Sequence, residues 1–225
     1  YLTGAKEDDR FLVTGNPIRE TYLEDALFKH VSSLPFPKKK TVLAFGGSQA
    51  AEFINTLFIK EYDYFMTSEY VLIHLVGADY FERLSKQFPD DVNNVVDSEG
   101  IDKGRGNIIT RYHNNELKIV ILPYFENMAY LYRLADKVVC RAGASSISEL
   151  LHYQKDAFLI PYPYAGNHQE DNAKAFVRLG MGEYKNQESV TFRDIKTFLE
   201  LLNQTIQDKP SHHPTKVIVK QIHLE

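Results

Sequence analysis

The sequence predicts an α/β fold, in which a Rossmann-like parallel sheet carries helices on both faces. Short apolar runs recur along the chain, segments with helical periodicity lie between them, and glycine-rich or polar loops follow several of the runs. Strands that alternate with helices at this spacing are typical of parallel sheets covered on both sides. Of the 225 residues, 44% are hydrophobic and 25% are charged, which suits one globular domain with a large core.

The first apolar run, TVLAF at 41–45, shows the pattern most clearly. It stops at Gly46-Gly47, so it predicts a buried strand, and the residues that follow predict a helix over about 50–62. The next elements share the same alternation, except that the last two flank Asn114-Asn115 as a candidate hairpin. They are strand 70–75, helix 79–88, and strands 108–112 and 117–122.

The stretch 89–116 breaks this rhythm, because it is rich in Asn, Asp and Gly. It is either part of that hairpin or a surface excursion. The second half of the chain then returns to regular alternation, and Gly180 is a natural stop for a helix. The predicted elements are helix 126–135, strand 137–140, helix 146–153, strand 157–160, helix 169–179, strand 182–185 and helix 191–207.

Composition excludes several classes of function. The formal net charge of −4 argues against a nucleic-acid partner, although a few local groups can still hold a polyphosphate. The single cysteine, Cys140, excludes an intramolecular disulfide and fits a reducing compartment. No apolar run approaches the roughly 18 to 20 residues of a membrane span, and no signal-peptide pattern opens the chain. We therefore expect a cytoplasmic protein without a cofactor.

The two ends of the chain are expected to lie outside the domain core. Residues 1–20 are a polar lead that does not begin with methionine, which favours a piece of a longer protein. Residues 21–208 are predicted to be the Rossmann-like domain. Residues 209–225 are predicted to be a tail, of which 224–225 are native or vector-derived.

Loops after the strands are the places to look for a ligand, because parallel sheets bind ligands beyond their carboxyl ends. Gly47 lies in the first such loop, and glycine lets the backbone approach a ligand closely. Ser48 and Gln49 follow with side-chain donors at the start of a helix, which favours an anion. The loop is neither a P-loop nor a dinucleotide fingerprint, and a packing role alone explains it equally well.

A second loop, 141–149, repeats this chemistry. Ala144, Ser145 and Ser146 are small residues that lead into a helix, so their N–H groups form a second candidate anion site. Glu149 has two interpretations. Three residues after Ser146, it completes a capping box, or its carboxylate accepts both hydroxyls of a ribose.

The third loop carries His168 and Gln169. Gln169 is a candidate for hydrogen bonds to sugar hydroxyls, and His168 is a candidate polar contact, since no metal ligands surround it in the sequence. Near the start of the chain, Arg19 follows a turn and becomes a phosphate clamp if it folds over the cleft. Neither a nucleophile-base pair, a metal-ligand cluster nor a pair of spaced carboxylates is evident. The chain therefore looks suited to holding a nucleotide diphosphate, without a group that attacks it.

Five motifs, in order, resemble the C-terminal, donor-binding half of the MurG family of glycosyltransferases. They are TGNPIR at 14–19, FGGSQAAEFIN at 45–55, PYFENM at 123–128, ADKVVCRAGASSISEL at 135–150 and NHQEDNA at 167–173. The resemblance covers about residues 14 to 180. It implies one half of the two-domain GT-B architecture, with UDP-N-acetylglucosamine as donor and an undecaprenyl-linked muramyl-pentapeptide as acceptor, joined by an inverting β-1,4 transfer.

The resemblance also implies roles for single residues, all of them in binding the donor substrate. Arg19 contacts the diphosphate region together with Gly47, Ser48 and Gln49, and Ala144, Ser145 and Ser146 bind the α-phosphate. The backbone of Phe125 contacts the uracil edge, and Glu149 binds the ribose hydroxyls. His168 and Gln169 bind the N-acetylglucosamine. The resemblance implies no catalytic residue here, because the family's acceptor, membrane and catalytic-base motifs belong to an N-terminal half that this sequence lacks. The isolated domain is expected to bind donor without turning it over.

Two departures from the family pattern keep alternatives open. Ala50 stands where the family usually has glycine, and the stretch 89–116 is longer than in MurG. The alternatives are another GT-B glycosyltransferase with a different acceptor, an epimerase on the same scaffold, a separate nucleotide-sugar-binding subunit, or a purely structural domain. An epimerase needs acid-base carboxylates in its cleft, and the sequence offers no such cluster. In the full-length protein, the resemblance implies work at the inner face of the cell membrane.

Overall fold

The structure, a computed structural model, describes residues 18, 26–36, 40–47, 51–93, 107–164 and 168–201. The chain divides into two compact units. The first unit is Arg19–Arg141, and the second unit comprises Tyr1–Ile18 and Ala142–Glu225.

The first unit is built on a sheet whose strands pair in the order β3-β4-β5-β2-β1-β6. Its centre, β5-β2-β1-β6, is parallel, and β3, β4 and β5 pair antiparallel at one edge. The parallel sheet and the hairpin across Asn114-Asn115 are therefore confirmed. The strands are β1 (Thr41–Phe45), β2 (Val71–Leu75), β3 (Val92–Asn93), β4 (Ile108–His113), β5 (Glu116–Leu122) and β6 (Lys137–Cys140).

The central strands are buried along their length, as expected when both faces of a parallel sheet are covered. All five residues of β1 and all four of β6 are buried. Five helices accompany these strands in the described part of the first unit. They are α1 (Ala26–Ser33), α2 (Ala51–Ile59), α3 (Tyr62–Thr67), α4 (Ala78–Gln87) and α5 (Met128–Leu134).

One predicted helix of the first unit is wrong in its extent. The helix expected over 50–62 ends at Ile59, and α3 begins separately at Tyr62. Tyr62 and Phe65 of α3 are both buried, and the Phe65 ring stacks on that of Phe58 with centroids 5.9 Å apart. At the break, the Glu61 N–H donates to the Phe58 carbonyl, three residues back, at 3.0 Å, in place of the four-residue spacing of an α-helix.

The second unit contains three helices and a pair of parallel strands in its described part. Within it, the ring of Phe158 contacts that of Phe198 edge-on, with centroids 5.6 Å apart. The last helix starts with a capping box made by Thr191 and Asp194. The elements are α6 (Ala144–His152), β7 (Asp156–Leu159), α7 (His168–Arg178), β8 (Gly182–Tyr184) and α8 (Phe192–Glu200).

Two glycines join α7 to β8, and the first of them, Gly180, is the stop that the sequence predicted. Gly180 follows α7 with φ +71° and donates its N–H to the Val177 carbonyl, at 2.9 Å. Gly182 lies at φ +135°, and a Cβ there would collide with the backbone of Ala157 in the paired strand. No described helix has the length and apolar character that crossing a membrane requires.

Candidate functional site

The strand order of the first unit changes direction next to β1. The chain moves from β1 to β2 on one side, and β6 later pairs with β1 on the other side. The last residues of the two strands, Phe45 and Cys140, lie in register as direct partners. Crevices at such switch points, beyond the carboxyl ends of the strands, are where open α/β sheets bind ligands. Two loops that the sequence singled out leave from these adjacent ends.

Gly47 occupies the first of these loops in a conformation that favours glycine. Its φ is +72°, the residue is exposed, and a Cβ there would meet no atom within 4 Å. Glycine is thus required by the backbone angle, since packing leaves room for a side chain. The predicted neighbours Ser48 and Gln49 lie outside the described residues, as does Arg19.

Phe125 follows β5, the third of the parallel strands in the first unit. Its side chain is 1% exposed, so the ring belongs to the core. A ligand at this position therefore meets the backbone, which is the part of the residue that the resemblance implies.

The second loop leads into α6, whose first turn is open to an acceptor. The N-cap is Gly143, which has extended backbone angles and provides no side-chain hydrogen bond to the helix. The Ile147 N–H donates to the Gly143 carbonyl at 3.0 Å, so the N–H groups before it precede the intrahelical ladder. These are the N–H groups of Ala144, Ser145 and Ser146. A helix start of this kind favours an anion through its unpaired donors and its dipole.

The capping-box interpretation of Glu149 is wrong. The helix begins at Ala144, so Ser146 and Glu149 both lie inside α6 and neither is its N-cap. The physical reason is that Gly143, with extended backbone, is the N-cap, three residues before the Ser146 that a capping box requires in that position. Glu149 is half-buried. Its backbone carbonyl accepts the Tyr153 N–H at 2.9 Å, which closes the end of the helix.

Side chains of α7 hold the loop in front of α6. Gln169 Oε1 accepts two backbone N–H groups, that of Ala142 at 3.2 Å and that of Tyr162 at 3.0 Å. The Asn172 side chain donates from Nδ2 to the Ala142 carbonyl at 3.1 Å. Asn172 is 9% exposed and was not among the predicted site residues. Its spacing of three from Gln169, which puts both amides on one helix face, was the available signal.

His168 is the first residue of α7 and is exposed. It therefore lies where a polar contact to a ligand is open to it. Across the described ranges, His, Cys, Asp and Glu side chains form no group of three or more that could hold a metal ion.

The first unit also contains a buried network of polar side chains that the sequence did not predict. The hydroxyl of Tyr62 lies 2.9 Å from His74 Nδ1, and His74 Nε2 lies 3.2 Å from Asn55 Oδ1. Asn55 Nδ2 then donates to the carbonyl of Val76 at 2.7 Å. Burial lowers the pKa of His74 from 6.5 to about 3, so the ring is neutral. These hydrogen bonds link α2 and α3 to β2 and to Val76, the residue that follows β2.

Comparison with known proteins agrees with these features. The model of the glycosyltransferase family 28 C-terminal domain matches residues 41–222. A UDP-N-acetylglucosamine–N-acetylmuramyl-(pentapeptide) pyrophosphoryl-undecaprenol N-acetylglucosamine transferase of Halothermothrix orenii is 35% identical over 88% of the chain and 50% of its own length. A protein of the same name from Parabacteroides distasonis is 36% identical over 75% of the chain and 41% of its own length.

The chain thus spans about half the length of the curated relatives it matches. Among solved structures, that of Acinetobacter baumannii MurG aligns with a TM-score of 0.53 at 23% identity. The alignment covers 82% of this chain and 52% of that one, and it confirms the predicted fold class. The chain belongs to the family of glycosyltransferase family 28 C-terminal domains.

Proposed function

We propose that this chain binds UDP-N-acetylglucosamine and is the donor-binding half of an N-acetylglucosaminyltransferase of peptidoglycan synthesis. The observation that carries the proposal is the open start of α6. Its N-cap provides no side-chain hydrogen bond, and the helix follows the β6 strand end at the switch point of the sheet. Unpaired N–H groups at such a place favour a phosphate. The names of the relatives supply the sugar and the acceptor class.

The remaining roles follow from the resemblance and from each residue's surroundings. The first turn of α6 receives the α-phosphate. Glu149, one turn further along the same helix, accepts the ribose hydroxyls. The backbone of Phe125 reads the uracil edge, which agrees with its buried ring. His168 lies at the sugar end, where its exposure leaves it open to a hydroxyl. Arg19, Gly47, Ser48 and Gln49 complete the diphosphate region.

The acceptor, the catalytic base and the membrane face belong to the other half of the enzyme in this proposal. The chain spans about half the length of the curated relatives it matches. The lipid-linked acceptor is then a partner of the whole protein at the cytoplasmic face of the membrane, reached through that other half. This chain alone is expected to bind donor without transferring sugar.

Calorimetric titration of the purified chain tests the donor site. The ligands are UDP-N-acetylglucosamine, UDP-glucose, UDP and ADP, added to the unaltered chain and to Glu149→Ala. Charged hydrogen bonds contribute about 1.5 to 3 kcal/mol each, so we expect Glu149→Ala to weaken uridine-nucleotide binding by about tenfold or more. Glu200→Ala, at the exposed end of α8, is the matched control and leaves affinity unchanged.

The pattern of affinities decides between outcomes. Preference for uridine over adenosine, with a further gain from the N-acetyl sugar, supports the proposal. Equal affinity for ADP and UDP contradicts the uridine site, and absence of binding by any uridine nucleotide contradicts the proposal as a whole.

A further inference from the structure

We infer that Gln169 and Asn172 are positioning residues, which fix the phosphate-binding start of α6 by holding Ala142 from both of its backbone groups. The inference deepens the proposed function and rests on it. It assigns to Gln169 a different task from the sugar contact that the resemblance implies. It also brings in Asn172, for which neither the sequence nor the comparisons gave a role.

Ala142 is hydrogen-bonded to both side chains through its backbone. Its N–H donates to Gln169 Oε1 at 3.2 Å, and its carbonyl accepts from Asn172 Nδ2 at 3.1 Å. Ala142 is fully buried, so water does not replace either bond. Both polar groups of this backbone unit are thus satisfied by side chains of one helix, α7. The next residue is Gly143, the N-cap of α6.

The second bond of Gln169 extends the hold to another loop. The same Oε1 accepts the Tyr162 N–H at 3.0 Å, and Tyr162 follows β7. One carbonyl oxygen therefore joins the loop before α6 to the loop after β7. Two backbone donors converge on this atom, which also fixes the orientation of the carboxamide, because its NH2 end offers no acceptor to them.

The position of Ala142 explains why this hold matters for binding. Gly143 has no Cβ and no side-chain cap, so nothing in its own side chain restrains the helix start. The hydrogen bonds to the preceding residue supply that restraint instead. Removing either side-chain amide leaves a buried backbone group of Ala142 without its partner, which is unfavourable unless the loop moves. A loop that moves carries the N–H groups of the first turn of α6 with it.

A positioning role and a sugar contact give different affinity patterns. If the two side-chain amides position the phosphate site, Gln169→Ala and Asn172→Ala each lower the affinity for UDP and for UDP-N-acetylglucosamine by the same factor, about tenfold. If Gln169 only contacts the sugar, UDP affinity stays unchanged and only the sugar nucleotide loses affinity. Arg178→Ala is the matched control, because it lies at the other end of α7, is exposed, and is expected to leave the affinity for both nucleotides unchanged.

The experiment combines calorimetry with amide hydrogen exchange on the same variants. Gln169→Ala is expected to speed exchange at the N–H groups of Ala142 and Tyr162 together. Gln169→Glu keeps an acceptor oxygen at the position of Oε1, so the N–H groups of Ala142 and Tyr162 are both expected to stay protected. This near-isosteric variant tests the role of Gln169 even if the alanine variants do not fold. Asn172→Asp replaces the hydrogen-bond donor with an acceptor that faces the Ala142 carbonyl. It is therefore expected to lower the affinity for UDP at least as much as Asn172→Ala does.

Each failure has its own signature. Unchanged exchange at the Ala142 and Tyr162 N–H groups in Gln169→Ala, or loss of their protection in Gln169→Glu, would show that Gln169 does not hold these two loops. Unchanged UDP affinity in both alanine variants overturns the positioning role. If the unaltered chain binds no uridine nucleotide, the proposed function fails, and the exchange data still decide whether Gln169 holds the two loops.

Discussion

Acidification from pH 8 to pH 5 is expected to destabilise the chain through one buried histidine. His74 is fully buried on β2, with Tyr62 and Asn55 as its hydrogen-bonding neighbours. Neither neighbour is a carboxylate, so neither supplies the negative charge that would offset the desolvation of an imidazolium. Burial therefore lowers the pKa of His74 in the folded state from 6.5 to about 3.

The magnitude follows from this shift. Because the folded-state pKa is below the unfolded one, the unfolded chain binds a proton that the folded chain does not, as pH falls below about 6.5. The contribution of neutral His74 is therefore fully present at pH 8 and is lost as pH falls from about 6.5 toward about 3. With these two pKa values, the loss at pH 5 is about 2 kcal/mol.

Urea unfolding at pH 8, 6.5 and 5 measures this loss as the free energy of unfolding at each pH. We compare the unaltered chain with His74→Gln, which replaces the imidazole with a polar amide that does not titrate. The control is His113→Gln, at an exposed position of β4. His74→Gln is expected to flatten the pH dependence by about 2 kcal/mol, whatever its cost at pH 8. His113→Gln is expected to leave the dependence as it is. A slope that His74→Gln does not change refutes the reasoning.

Two further predictions concern the second unit, both measured as the free energy of unfolding. Gly182→Ala collides with the backbone of Ala157, so we expect a loss of about 3 kcal/mol or more, whereas Gly180→Ala meets no neighbour and costs about 1 kcal/mol for its left-handed backbone. Equal losses would contradict the collision. Asp194→Ala removes both the capping box of α8 and the 2.8 Å ion pair with Lys185, and is expected to cost about 1 kcal/mol, while Glu200→Ala at the other end of that helix is neutral. Lys185→Ala removes the ion pair only, so a cost equal to that of Asp194→Ala would contradict the cap.

Much of the fold could be predicted because its signals are local. The run at 41–45 and the stop at Gly180 depend on neighbouring residues, and the structure places both as expected. The break before Tyr62 could not be predicted in this way. The buried residues Ile54, Phe58 and Tyr62 follow each other at a spacing of four, which is the pattern of one continuous helix face, so the apolar periodicity carries no signal of the break.

The candidate site divides along the same line. Residue type and loop position were enough to single out Ala144, Ser145 and Ser146 as a helix start. They were not enough to locate its first residue, since the spacing of Ser146 and Glu149 suggested an N-cap at Ser146, whereas the N-cap is Gly143. The bonds from Gln169 and Asn172 to Ala142 join residues 27 and 30 positions apart, and only the folded chain brings them together.

The most direct test of the donor site follows the backbone amides of α6 by NMR while UDP-N-acetylglucosamine is added. We predict that the signals of Ala144, Ser145 and Ser146 shift and saturate together, while those of Phe192–Glu200 in α8 stay in place. Binding that leaves the three α6 amides unmoved would contradict the account, because the ligand's phosphate would then lie elsewhere.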